Sequence, residues 1–191
     1  MKHFVSPDSL RMDSYALAAK VIESGFKPDF LIAIWRGGAT IGICMHEFFK
    51  YLNIPVDHIA IRTSKYTGIG VASSTVQVHN LGYLTERLKK DSKVLLIDDV
   101  YDTGLSIEAI YEALKERLGD DTPTDIRVST VYYKPKRNKT KKIPDYFVHE
   151  SDEWIVFPHE LEGLSIEEIK QVMGEKIASL VEMAAKNIIY N

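Results

Sequence analysis

KVLLIDDVYDTGLS, residues Lys93–Ser106, begins as a strand and ends as a turn. Val94 to Ile97 are apolar without interruption, the pattern of a strand covered on both faces. Two carboxylates, Asp98 and Asp99, follow at once, then Asp102 and the small, hydroxyl-bearing Thr103-Gly104-Leu105-Ser106. Ile107, Ile110, Leu114 and Leu118 recur at intervals of 3, 4 and 4 residues, which is one face of a helix. Strand, acidic edge, tight turn and helix in that order make a βα unit with its polar groups at the carboxyl end of the strand.

The same alternation extends in both directions. Ser6-Pro7 has the form of a helix start and Gly25 of its stop, with Leu10, Leu17, Val21 and Ile22 close to one face. DFLIAIW (Asp29–Trp35) is a buried-strand run, which RGGATIG converts into a helix reaching Leu52. HIAIR (His58–Arg62) is a further strand, VQVHN a short one, and DIRVSTVYY (Asp125–Tyr133) completes the core set. Thr63–Thr75 is small, polar and Gly-bearing without a helical stripe, and reads as a mobile loop. Strands alternating with helices imply right-handed crossovers. The expected fold class is therefore α/β, a mostly parallel central sheet with helices on both faces. After Tyr133 come the basic stretch KPKRNKTKK and two short aromatic strands near Tyr146–Val148 and Trp154–Phe157. The last segment opens with the capping-box pattern Ser165-x-x-Glu168. It continues as an apolar stripe, Ile166, Ile169, Met173, Ile177, Leu180, Ala184 and Ile188, interrupted by Gly174. That stripe suits a helix packed on its own domain, with a subunit contact as the second reading.

With 191 residues the chain can bury one full core. A net charge of −3 argues against a general nucleic-acid binder. The single Cys44 excludes an internal disulfide framework and is expected in the core, and the scattered His46, His58, His79, His149 and His159 show no paired metal-ligand spacing. MKHFVSPDSLRMD lacks the apolar run of a signal peptide, and no segment approaches 18 consecutive apolar residues. A cytoplasmic protein with no membrane partner is the expectation.

In open α/β sheets, ligands bind beyond the carboxyl ends of the strands. Asp98 and Asp99 lie at such an end, and strand alternation points them to opposite faces. One then meets a ligand while the other orients backbone or metal-bound water. The DTGLS turn leads into a helix N-terminus, where free N–H groups and the helix dipole favour a phosphate. Carboxylates beside a phosphate repel it unless a cation intervenes, which makes Mg²⁺ the natural third party. The LLIDD strand also has the look of a Walker B strand, but the partner loop is missing: GGATIGI places Ile43 where lysine must stand. A purely structural reading also exists, in which Asp99 and Asp102 only cap the turn.

The whole run resembles the 5-phosphoribosyl-1-diphosphate motif of the type I phosphoribosyltransferases, with a similarity to that family extending over roughly Asp29 to Glu160. The resemblance implies that Arg36, Gly37 and Gly38 of WRGG form the diphosphate loop, a plain strand-to-helix turn being the alternative. It implies that Asp98, Asp99, Asp102, Thr103, Gly104, Leu105 and Ser106 bind the phosphoribosyl group, and that Asp102 is the general base. The loop Thr63–Thr75 takes the place of a closing lid, with Ser64, Lys65 and Tyr66 as lid residues. YYKP and WIVFPHE look like the base-recognising hood of the hypoxanthine-guanine and xanthine-guanine members. There Lys134 meets a 6-oxo group, Trp154 stacks on the base with Ile155 beside it, and Glu160 joins Asp98 and Asp99 at Mg²⁺. Alternatively, Lys134 is a solvent-exposed lysine and Trp154 a core residue. The implied organisation is a core at 1–133, a hood at 134–163 and a C-terminal helical segment at 164–191.

What the resemblance implies in function is transfer of a 5-phosphoribosyl group to N9 of a 6-oxopurine, giving a nucleoside 5′-monophosphate and diphosphate in purine salvage. The implied partners are 5-phosphoribosyl-1-diphosphate and a purine base, with the chain acting as a homodimer or higher homo-oligomer. Two rivals stand beside this: a non-catalytic regulator that senses phosphoribosyl diphosphate or nucleotides, and a transferase for another base.

Overall fold

The computed structural model describes residues 2–66 and 75–189, with side chains for 2–64 and 76–188. In chain order the described elements are β1 (Lys2–Phe4), α1 (Pro7–Glu23), β2 (Phe30–Trp35), α2 (Gly37–Tyr51), β3 (Asp57–Tyr66), β4 (Thr75–His79), α3 (Gly82–Thr85), β5 (Lys93–Tyr101), α4 (Leu105–Leu118), a 3-10 turn (Gly119–Asp121), β6 (Asp125–Tyr133), β7 (Tyr146–Glu150), β8 (Trp154–Val156), α5 (Ile166–Met173) and α6 (Glu175–Ile189). They fall into two compact units: Arg11–Asp152, and the first ten residues together with the chain from Glu153 onward.

In the larger unit the sheet order is β4-β3-β2-β5-β6-β7. All neighbours are parallel except β3 and β4. The apolar run of β5 explains its central place, since Val94, Leu95, Leu96 and Ile97 are all fully buried. Val94 and Leu96 join Ile32, Ile34, Ile107, Ile110 and Leu114 in one cluster, which seats α4 on that face. On the other face, Gly42 of α2 backs onto Ala33 and Ile97, and Ser129 Oγ reaches Met45 Sδ at 4.0 Å. Helices thus cover both faces, and each buried Leu or Ile contributes about 1.5–3 kcal/mol. The registers Phe30↔Val94 and Asp98↔Thr130 bring the carboxyl ends of β2, β5 and β6 together. Three of the histidines are engaged structurally: the His46 and His58 rings lie tilted with centroids 4.1 Å apart, and His149 Nε2 lies 2.9 Å from Asp13 Oδ2.

The segment read as a mobile loop begins later than expected. Thr63, Ser64, Lys65 and Tyr66 extend β3 and pair antiparallel with Val78, Gln77, Val76 and Thr75. Here β3 pairs only with the edge strand β4, where polar side chains cost little, so polarity alone misled. The rest of the expected lid lies outside the described residues.

In the smaller unit β1 pairs in parallel with β8, Lys2 opposite Trp154, and Val5 N–H donates to Val156 O at 2.9 Å. This pairing of distant segments is why the compact units part at Asp152 and Leu10, whereas the chain was divided above at 133 and 163. The capping box forms as expected: Glu168 N–H donates to Ser165 Oγ at 3.2 Å, and Ser165 N–H to Glu168 Oε2 at 2.9 Å. The C-terminal segment is two helices, not one. Gly174 takes φ +93°, ψ 160°, outside helical space, and ends α5. The stripe also divides, because Ile169 is buried whereas Ile177, Leu180 and Ile188 are exposed.

Candidate active site

The site of the larger unit grows from contact between two turns. Gly37 and Gly38, which open α2, lie directly on the end of β5. A Cβ at Gly37 would overlap the Asp99 carboxylate, and one at Gly38 the Ile97 carbonyl. Only glycine admits this approach. Gly38→Ala is therefore expected to cost roughly 1–3 kcal/mol in chemical denaturation, because the obstructing atom is main chain and cannot rotate away. The peptide Trp35–Arg36 is cis, and no side chain caps α2. Arg36 is exposed beside the turn.

Strand alternation does not separate the acidic pair as expected. Asp98 Oδ1 accepts the N–H of Asp99 at 3.0 Å, and the main chain of Gly38 also donates to Asp98. Folding back on its own strand end turns the Asp98 carboxylate to the same glycine turn that Asp99 meets. Asp99 is only 8% exposed. Burial, and then the charge of Asp99, holds the Asp98 carboxyl well above the ordinary carboxylate range.

The second turn is Asp102–Ser106. Gly104 has φ +77°, which other residues adopt at a cost, and a Cβ there would stand 2.7 Å from Tyr101 OH and Thr140 Oγ1. No side chain caps α4, and the Leu105 N–H has only a long 3.4 Å bond to Thr103 Oγ1. The first-turn amides of a fourteen-residue helix are thus free to meet an anion. Asp102 Oδ1 is taken by Arg137 Nε at 2.5 Å.

Lys134 is not the exposed lysine of the alternative reading. It is 7% exposed, its N–H donates to Tyr101 O at 3.0 Å, and its ammonium has no acceptor among the described residues. The structure therefore brings Arg36, Gly37, Gly38, Asp98 and Asp99 together, and sets Asp102–Ser106 and Lys134 against Tyr101 at the end of the same strand. Ser64 is hydrogen-bonded to His79 Nε2 at 2.9 Å in the β3–β4 ladder, and the side chains of Lys65 and Tyr66 lie outside the described residues.

Trp154, Ile155 and Glu160 belong to the smaller unit. Trp154 is 63% exposed, which excludes the core reading, with Lys2 Nζ 5.9 Å from its ring centroid. The Ile155 side chain is buried, leaving only its main chain for a ligand. Glu160 Oε2 accepts the Phe157 N–H at 3.1 Å.

Sequence reading missed Arg137 and its neighbours. KPKRNKTKK appeared only as a basic loop, yet Lys139 N–H donates to Thr103 O at 3.0 Å and Thr140 Oγ1 meets Tyr101 OH at 2.9 Å. The charge run was the available signal; its place against the second turn was not.

Known proteins resemble this chain in sequence and in fold. A phosphoribosyl transferase domain model matches residues 9–165. The hypoxanthine phosphoribosyltransferase of Haemophilus influenzae is 29% identical over 115 residues, which cover 54% of this chain and 59% of that protein. This chain thus spans less than two thirds of that relative's length. Among solved structures, a purine phosphoribosyltransferase from Pyrococcus horikoshii superposes with a TM-score of 0.64 at 28% identity, covering 86% of this chain and 97% of that one. A hypothetical protein from Neisseria gonorrhoeae with bound ppGpp gives a TM-score of 0.65 at 25% identity, covering 92% and 97%.

Proposed function

Because the chain belongs to the phosphoribosyltransferase family, we propose that it transfers the 5-phosphoribosyl group of 5-phosphoribosyl-1-diphosphate to N9 of a 6-oxopurine. The bond from the anomeric carbon to the diphosphate oxygen breaks, the bond to N9 forms, and diphosphate leaves. The observation that carries this reading is the double-glycine turn pressed onto Asp98 and Asp99, on the strand that ends at the uncapped α4. Amides of Gly37 and Gly38, with Arg36, receive the diphosphate. The amides of Leu105 and Ser106 and the hydroxyls of Thr103 and Ser106 receive the 5′-phosphate. Asp98 and Asp99 face the ribose hydroxyls and the positive charge that develops at the anomeric carbon. Asp102 takes the proton that the purine loses.

The acidic pair suits a hard divalent cation. Burial and the charge of Asp99 raise the Asp98 carboxyl above its ordinary range, and a cation offsets both causes. Mg²⁺ takes few protein carboxylates and keeps positions for substrate oxygens and water, so two carboxylates would suffice. Asp98 and Asp99 would hold it. When bound, it offsets charge on the leaving diphosphate. Glu160, with one oxygen engaged by its own turn, is not needed for this.

Lys134 selects the base. An ammonium donates and cannot accept, so it suits the carbonyl of a 6-oxopurine and not the amino group of adenine. Lys134→Met is expected to lower kcat/KM for the purine about 10–100-fold, with the donor KM little changed in steady-state assays. In the smaller unit, the exposed Trp154 indole offers the kind of face on which a flat base stacks. The reading includes a cytoplasmic location and a homodimer or larger homo-oligomer; among the described residues no helix is long and apolar enough to cross a membrane.

The test is turnover of the donor with hypoxanthine, guanine, xanthine, adenine and orotate. At least one 6-oxopurine should react and the last two should not; reaction with adenine or orotate instead would give the acceptor to another base. The ppGpp bound to the Neisseria protein favours a second reading, a nucleotide sensor on the same fold. Donor or ppGpp binding with no turnover of any base would establish it.

A further inference from the structure

We infer that Arg137 is a second, movable ligand for the 5′-phosphate of the donor, and that phosphate arrival draws it off Asp102 and frees that carboxylate. The inference rests on the reading of the α4 N-terminus as a phosphate site. Arg137 and Asp102 are paired with the two side chains 57% and 34% exposed, so neither is locked by burial. An exposed ion pair of this kind is weak and exchanges readily.

The chain around Arg137 is fixed by several bonds, while its side chain is held by the Asp102 pair alone among the described residues. Lys139 N–H donates to Thr103 O at 3.0 Å, and Thr140 Oγ1 meets Tyr101 OH at 2.9 Å. Asn138 Oδ1 accepts the Thr140 N–H at 2.9 Å, and Asn138 Nδ2 donates to Lys142 O at 2.8 Å. These bonds fix the Arg137 backbone beside the turn that receives the phosphate. Charge supplies the second half of the argument. A phosphate dianion entering beside the Asp102 carboxylate is repelled unless a cation stands between them, and the guanidinium is already there. Its fork binds a dianionic phosphate more strongly than one carboxylate oxygen. Conversely, Asp102 Oδ1 is shared with the guanidinium while the pair stands, and it is given up to the purine proton once Arg137 moves to the phosphate. Arg137 is thus a positioning residue for Asp102 and a phosphate ligand in turn.

The experiment is titration of ribose 5-phosphate, which has neither base nor diphosphate, into the full chain and three variants by calorimetry. Arg137→Gln should weaken binding about tenfold, with Arg137→Lys recovering part of the loss. Asp102→Asn should tighten it about threefold, because Arg137 is released, and the tightening should vanish in the double variant. Inorganic diphosphate should bind the wild type and Arg137→Gln alike. Unchanged ribose 5-phosphate binding in Arg137→Gln, or a tightening by Asp102→Asn that persists in the double variant, overturns the inference alone. A wild-type chain that does not bind ribose 5-phosphate overturns the phosphate cradle, and with it the reading proposed above.

Discussion

Asp102→Asn is expected to lower kcat about 10²–10⁴-fold while leaving donor affinity within a few-fold of the wild type. The substitution is nearly isosteric. The turn from Tyr101 to Ser106 keeps its shape through Lys139 N–H on Thr103 O and Thr140 Oγ1 on Tyr101 OH, which do not involve Asp102. What is lost is a group able to take the proton that the purine sheds as N9 attacks. Donor affinity depends on other groups: the glycine turn, the acidic pair and the α4 amides. Steady-state kinetics with equilibrium binding of 5-phosphoribosyl-1-diphosphate separates the two quantities. Equal losses in both would remove Asp102 from the role of base and return it to a purely structural place in the turn.

Asp98→Asn should split activity from stability. Turnover is expected to fall about 100-fold, because the ribose and cation end of the site loses a carboxylate. The free protein should nevertheless become more stable. The Asp98 carboxyl is held above its ordinary range, first by burial and then by Asp99. Between the ordinary carboxylate pKa and that raised value the folded chain keeps a proton that the unfolded chain has lost. Wild-type stability therefore falls as pH rises through that window. Asparagine does not titrate, so its advantage should be greatest above the window and disappear in acid, where both states of the wild type are protonated. A gain of about 1 kcal/mol corresponds to roughly 2–4 °C in Tm for a chain of this size. Thermal melts across pH without cation would test this, and a lower Tm for the variant at neutral pH would count against an unneutralised buried pair.

Much of this was legible in the sequence, for local reasons. The four apolar residues of β5 and the spacing of Ile107, Ile110 and Leu114 report burial through periodicity, and periodicity is a property of neighbours in the chain. The capping box at Ser165 is likewise local, and it formed. Gly37 and Gly38 could be seen as a turn, but that both are jammed against the strand end carrying Asp98 and Asp99 required the β2–β5 register. The rule of alternation sent Asp98 and Asp99 to opposite faces; a side chain that folds back onto the next amide does not obey it. Polarity and small residues hid the end of β3, whose ladder with β4 supplies what its side chains do not. Gly174 was visible as an interruption, yet whether a glycine bends or ends a helix depends on what surrounds it.

By itself the sequence determined the layered α/β plan, the acidic strand end and the turn after it, because each is written in residues within one or two elements of one another. Tertiary structure alone decided that Lys134 is buried, that Trp154 is exposed and that Arg137 holds Asp102. Those facts join residues that are distant in the chain, and side-chain pairing across such distances leaves no period or pattern along the chain from which to read it.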